Sequence, residues 1–185
     1  MNAVQIRPAV PADAADIARV QVATWQATYV GQIPDPSLAF FTDLERREQQ
    51  WQEALTQAAS DPHTLRRTFV AEAAEDGLIG FAIAGPLRFA EGDPAEALLY
   101  QGEVYAIYVL AEHQKRGLGA QLMTASARYL QDCGLHGLLV WALETNIRAR
   151  GFYERLGGQP VAYRKLNLAG ALVNEVGYGW ARFEG

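Results

Sequence analysis

EVYAIYVLAEHQKRGLGA, residues Glu103 to Ala120, is the stretch on which the fold turns. Its first part is a strand, because Val104, Tyr105, Ile107, Tyr108 and Val109 crowd strand-favouring side chains into one short run. A polar turn follows from Ala111 to Gln114. Gln114-Lys115-Arg116-Gly117-Leu118-Gly119 then opens into a helix that continues as AQLMTASARYL. A strand, a glycine-containing turn and a helix N-terminus together make an anion site. The first helical N–H groups have no partner inside the helix, and the helix dipole favours negative charge at that end. Gly117 and Gly119 let a phosphate approach the backbone, and Lys115 and Arg116 add positive charge beside it.

Two familiar phosphate motifs do not fit. A P-loop needs GxxxxGK[ST], which is absent, and a dinucleotide fingerprint needs a third glycine where Leu122 stands. The pattern that remains is Q-x-x-G-x-G. Asn146 follows Gly119 by 27 residues and begins Asn146-Ile147-Arg148-Ala149-Arg150-Gly151-Phe152-Tyr153-Glu154-Arg155-Leu156-Gly157. The two motifs, in this order and at this distance, resemble the pyrophosphate signature and the last helix of the GNAT superfamily of N-acetyltransferases. The earlier VATWQATYVGQIP (Val22 to Pro34) and the closing Tyr178-Gly179-Trp180 resemble that group as well. The likeness therefore covers nearly the whole chain. There are two departures: Gly151 lies inside the helix, at a cost of about 1 kcal/mol relative to Ala, and Gly158 stands where an aromatic often follows.

The resemblance implies acetyl-CoA as the acyl donor, and the scattered histidines leave no metal to expect. The resemblance also implies that Gln114, Lys115, Arg116, Gly117, Leu118, Gly119 and Ala120 hold the pyrophosphate. Tyr108 and Val109 would hold the pantetheine arm, where two parallel strands splay apart. Asn146 would assist binding. The segment from Trp25 to Phe41 would cover the acceptor, with Trp25 and Tyr29 as substrate-facing residues; the same aromatics would equally serve to seal the core. Members of the superfamily often dimerise, so a homodimer is an expectation for this chain too.

Moving an acetyl group from a thioester to an amine sets three tasks. The amine must be neutral to attack, and with a free pKa near 10.4, as for lysine, only about one molecule in a thousand is neutral at pH 7. The carbonyl oxygen needs a hydrogen-bond donor, for which a backbone N–H near Val109 is the candidate by resemblance. The leaving thiolate needs a proton. Tyr153 is the candidate acid. Seven residues span almost two helical turns, so Asn146 and Tyr153 share a face, and by resemblance that face meets the thioester sulfur. For the base, Glu103, Tyr105, Ile107 and Val109 alternate onto one strand face, which makes Glu103 a candidate directly or through water. Glu144 is its rival. Capping alone accounts for Asn146, and a solvated strand-end role accounts for either Glu.

Bulk properties narrow the classes. The chain has 185 residues, a net charge of −5, half hydrophobic composition and one cysteine, Cys133. That reads as a single domain over 1–185, burying roughly 70% of its unfolded surface. The mild acidity argues against a nucleic-acid or membrane-surface partner and suits a small-molecule or peptide amine. One cysteine cannot form an internal disulfide, the N-terminus has no signal pattern, and no apolar run reaches about 18 residues, so a cytoplasmic protein is expected. His63, His113 and His136 are scattered without metal-ligand spacing. Cys133 has no evident His or acidic partner for an acyl-enzyme route.

Outward from the central stretch, strands are expected at Val4 to Arg7, Thr68 to Ala73 and Leu78 to Ala84, with the central strand starting at Leu98. Further strands are expected at Gly137 to Leu143, Pro160 to Leu166 and Val173 to Trp180. Helices are expected from Pro11 to about Gly31 and from Leu44 to Ala58, joined by a stiff Ile33-Pro34-Asp35-Pro36 connection. Arg88 to Glu96 reads as an exposed loop. The class is α+β, loosely α/β: a central mixed, mostly antiparallel sheet with helices on both sides. A non-catalytic acyl-CoA-binding module is the alternative from another class, and transfer of a larger acyl group the alternative within it.

Overall fold

The computed structural model describes residues 4–89 and 92–183. Its elements run β1 (Val4–Pro8), α1 (Ala14–Tyr29), α2 (Asp35–Thr42), α3 (Leu44–Ser60), β2 (Arg67–Ala73), β3 (Gly77–Pro86) and β4 (Gly102–Val109). They continue as α4 (Leu118–Asp132), β5 (Leu138–Leu143), α5 (Ile147–Arg155), β6 (Gln159–Leu168) and β7 (Ala171–Trp180). The seven strands form one sheet in the order β1-β2-β3-β4-β5-β7-β6. Every neighbouring pair is antiparallel except β4–β5. This is the α+β architecture expected from the sequence.

Helices cover both faces of the sheet. Val70 and Phe81 are register partners, as are Phe69 and Ala82, so the first pair points to one side and the second to the other. Phe81 meets Trp51 of α3 edge-on at 5.2 Å, whereas Phe69 meets Tyr129 of α4 at 5.9 Å. α3 presents Trp51 and Leu55, one turn apart, to this core. Truncating a buried aromatic such as Trp51 would cost about 3–5 kcal/mol. α4 turns Leu122, Met123 and Leu130 fully inward, with Leu118, Ser126 and Ala127 buried beside them.

Two expectations about elements are corrected. Ile33–Pro36 is not merely a connection, because Asp35–Thr42 is a helix with Pro36 in its first turn, where a fixed φ and a missing N–H cost nothing. The central strand starts at Gly102, not Leu98. Ala95–Leu99 is a 3₁₀ turn whose Leu98 and Leu99 are exposed, so their apolar character finds no sheet partner. The strand can begin only where Gly102 meets both Pro86 and Leu138, beneath Leu130, whose Cδ1 lies 2.9 Å from where a Cβ on Gly102 would sit.

The feature that positions the site is the β4–β5 pairing. It holds for Gly102, Glu103 and Val104 against Leu138, Leu139 and Val140, and then stops. β4 runs on to Val109 beside β3, and β5 runs on to Leu143 beside β7. The two strands therefore part, leaving backbone groups of both facing a gap.

Candidate active site

A groove of about 470 Å³ opens at this gap. One wall is Ala106 to Val109 of β4, and the other is Val140 to Ala142 of β5 with Asn146, Phe152 and Tyr153 of the α5 region. Its end is the start of α4. Gly117, the N-cap, is left-handed at φ 82°, no side-chain hydrogen bond caps the helix, and its first turn holds no acidic residue. Lys115 is also left-handed, at φ 60°. Consecutive turns of this kind aim backbone N–H groups at one point, and the helix dipole adds to the attraction for an anion. A Cβ on Gly119 would lie 3.1 Å from the Phe152 ring, so a side chain here would press α4 against α5. The arrangement suits a phosphate-bearing ligand with an extended arm lying along β4.

Gln114 works differently from the glycines. Its Nε2 donates to the Val109 carbonyl at 2.8 Å, and its Oε1 accepts from Arg148 Nη1 at 2.9 Å, so it ties the end of β4 to α5. Leu118 turns its side chain into the core and Arg116 lies outside the groove lining, whereas Lys115, Gly117, Gly119 and Ala120 line it. Arg148 and Arg155 line the groove too and were not singled out from sequence. Both sit on α5, where alternating arginines look like an ordinary solvated face.

Asn146 and Tyr153 do come together. Asn146 Oδ1 accepts from the Ala149 N–H at 3.1 Å, which caps α5, and the residue also lines the groove. Tyr153 is 4% exposed, tilted against Tyr178 and edge-on to Trp180. Burial, then the neighbouring Tyr29, pushes its phenol well above the usual range, so it is protonated at neutral pH. Gly158 has an aromatic beside it after all, since the Trp180 ring fills the space where a Cβ would sit.

A second cavity of about 380 Å³ adjoins the groove, and the two share Tyr29, Tyr105, Tyr108, Trp141 and Ala142 as walls. Trp25 lines only this second cavity, stacked on Phe41 at 4.5 Å and edge-on to Tyr29 at 4.8 Å. Trp25 and Tyr29 thus serve both expectations: they pack a small core with Ile33 and Leu143, and they face the cavity. Tyr29 also faces Asn146 and Tyr108 at the junction. Burial pushes the Tyr29 phenol up, and it pushes Tyr108 up further.

Glu103 reaches this cavity, but not by simple alternation. Val104 pairs with Ala84 and Ala106 with Ile83, so Tyr105 is the extra residue of a β-bulge. The bulge shifts the alternation by one, which brings Glu103, Tyr105 and Tyr108 into the second cavity while Ile107 and Val109 line only the groove. Glu103 is 1% exposed. Its Oε2 accepts from the Arg88 backbone N–H at 2.9 Å and its Oε1 from Arg88 Nη2 at 2.6 Å. Arg88 in turn lies over the Tyr105 ring at 3.9 Å, and Tyr105 Oη donates to the Pro86 carbonyl at 2.6 Å. Glu144 lines neither cavity, and its Oε2 accepts from Asn174 Nδ2 at 3.0 Å.

Sequence reasoning missed Trp141, Arg164 and Glu175, which complete the second cavity. Arg164 and Glu175 are register partners across β6 and β7, joined at 2.8 Å from Nε to Oε2. The available signal was a Glu in the otherwise apolar end of β7. The Arg88–Glu96 loop contributes Arg88, Phe89 and Asp93 to the lining; residues 90 and 91 lie outside the described ones.

Comparison with known proteins identifies the family and the fold. The family model described as "Acetyltransferase (GNAT) family" matches residues 25–158. The uncharacterized N-acetyltransferase YuaI of Bacillus subtilis (strain 168) is 33% identical over 179 residues, covering 96% of this chain and 92% of YuaI. Among solved structures, the ribosomal-protein-S5-alanine acetyltransferase of Vibrio fischeri superposes with a TM-score of 0.72 at 20% identity, covering 100% of this chain and 97% of that one. The structure of yncA from Salmonella typhimurium with its cofactor acetyl-CoA superposes with a TM-score of 0.66 at 21% identity, covering 99% and 96%.

Proposed function

The chain belongs to the acetyltransferase (GNAT) family, and from that premise we propose that it is a one-domain N-acetyltransferase passing the acetyl group of acetyl-CoA directly to a primary amine while both are bound. The observation that carries this is the junction of two cavities at the β4–β5 gap, one ending at an uncapped helix N-terminus and the other walled by aromatics and acids. Acetyl-CoA supplies the acetyl group as a thioester. The α4 N–H groups with Lys115 would hold the pyrophosphate, assisted by Arg148. The β4 backbone at Tyr108 and Val109, on the edge that faces the gap, would hold the arm and offer an N–H to the carbonyl oxygen.

Tyr153 is the acid in this reading. Its buried, neutral phenol lines the groove and can give a proton to the departing sulfur. Proton removal from the amine belongs to the acidic wall of the second cavity, with Glu103 on the central strand acting through water. Both Glu103 oxygens already accept Arg88 N–H groups, which supports an indirect rather than a direct part. Asn146 orients Tyr29 at the junction and caps α5.

Thermal unfolding with acetyl-CoA, and with NADH and ATP as phosphate-bearing controls, tests the reading. At 100 times its dissociation constant the ligand stabilises by about 2.7 kcal/mol, or about 5–10 °C for a domain of this size. A shift confined to CoA thioesters, followed by thiol release on adding amines, is the expected result. A larger shift with either control overturns it.

A further inference from the structure

The charge of the second cavity is weighted toward acid. Among the described residues its lining holds three acids, Asp93, Glu103 and Glu175, against two guanidinium groups, Arg88 and Arg164. Both guanidinium groups are already engaged. Arg88 donates to Glu103 at 2.6 Å, while Arg164 donates to Glu175 at 2.8 Å and to both oxygens of Asp93 at 3.2 Å. Arg164 is further held over the Trp141 ring at 4.0 Å. An acceptor carboxylate entering here would lose hydration and add a further negative charge to a lining in which the acids already outnumber the guanidinium groups, which is unfavourable.

One anionic site is left open. Glu175 is 9% exposed and its Oε2 takes Arg164, but among the described residues no hydrogen bond reaches its Oε1. Its charge acts on both Tyr29 and Tyr108, the residues where the cavity meets the groove. Around it stand the rings of Trp25, Tyr29, Phe89, Tyr108 and Trp141, a lining that suits the apolar body of an amine.

Resting on the acetyltransferase reading, we propose that the acceptor is a small primary amine with an apolar or aromatic body and no carboxylate of its own, its ammonium received by Glu175 Oε1. In the transfer the amine nitrogen bonds to the acetyl carbon and the carbon–sulfur bond breaks. Of the two protons lost from nitrogen, one leaves through the acidic wall to solvent and one accounts for the free thiol.

Initial rates with matched amines test this without any variant: tyramine against tyrosine, and 1,4-diaminobutane against ornithine, each pair differing by the carboxylate. The carboxylate-free member should show at least about tenfold higher kcat/KM. In Glu175→Gln that preference should shrink, chiefly through KM for the amine, with acetyl-CoA still raising the melting temperature as in the parent. Faster transfer to the amino acid, or a Glu175→Gln variant with unchanged preference, overturns the proposal. So does failure of all four amines while acetyl-CoA still stabilises the protein, which leaves the transferase reading standing. Absence of stabilisation by acetyl-CoA instead overturns that reading, and this one with it.

Discussion

The groove and the cavity beside it are built from different materials. The groove is made mainly of backbone: a strand edge freed by a splay, a left-handed turn, and helix N–H groups exposed because two glycines stand there. The cavity is made of side chains from α1, the loop after β3, β4, β5, β6 and β7, held by ion pairs that span up to 71 positions of sequence. A backbone site needs one contiguous stretch with the right conformations and is indifferent to most side chains. A side-chain site can be rebuilt by exchanging residues on strands that stay put. The first suits a ligand common to many relatives, the second an acceptor particular to one.

Changes at the groove and at the cavity should therefore separate in kinetics. The largest effect is expected in the groove, at the candidate acid. Tyr153→Phe should lower turnover about 10²-fold or more while acetyl-CoA affinity by calorimetry stays within about twofold; equal losses in both would remove the acid assignment. Next comes Gly119→Val, which pushes a side chain against Phe152 and the anion cradle. It should weaken acetyl-CoA binding by about 10- to 30-fold, or roughly 1.4–2 kcal/mol, and leave KM for the amine nearly unchanged. A reverse pattern would mean that the groove is not the donor site.

Arg88→Ala probes the other side. It strips the buried Glu103 of its partner, and because the Arg88 side chain is 59% exposed the cost should be about 1–3 kcal/mol in denaturant unfolding, less than for a fully buried pair. Amine KM should rise with acetyl-CoA affinity intact. The smallest effect is a slope. Tyr29, Tyr108 and Tyr153 all have phenols raised by burial. Between the unfolded phenol value near pH 10 and their higher folded values, the folded chain holds more protons than the unfolded one. Stability should thus be undiminished by these groups below pH 10 and fall as pH rises above it. Tyr153→Phe should make that alkaline fall shallower in urea titrations.

The uneven legibility of the two sites follows from the same contrast. Gln114 to Ala120 and Asn146 to Tyr153 are each continuous, so their conformations and spacing were readable in the chain. Glu103 could be placed on a strand, but its company could not. The bulge at Tyr105 reset the alternation, and Arg88 arrived from a neighbouring loop. Glu175 and Arg164 looked like strand residues of no special note, because their pairing depends on the β6–β7 register.

By itself, the sequence determined most of the local events: where the strands and helices form, α2 and the start of β4 excepted, that a glycine turn opens a helix with free N–H groups, and that Asn146 and Tyr153 share a face. These depend on backbone sterics and periodicity within a dozen residues. Tertiary structure alone decided that β4 and β5 part after Val104, that a bulge turns Tyr108 toward Glu103, and that every cavity guanidinium already has its carboxylate. Those outcomes depend on which distant segments come into register, and the free energy of a buried charge is set by neighbours that the local chain does not contain.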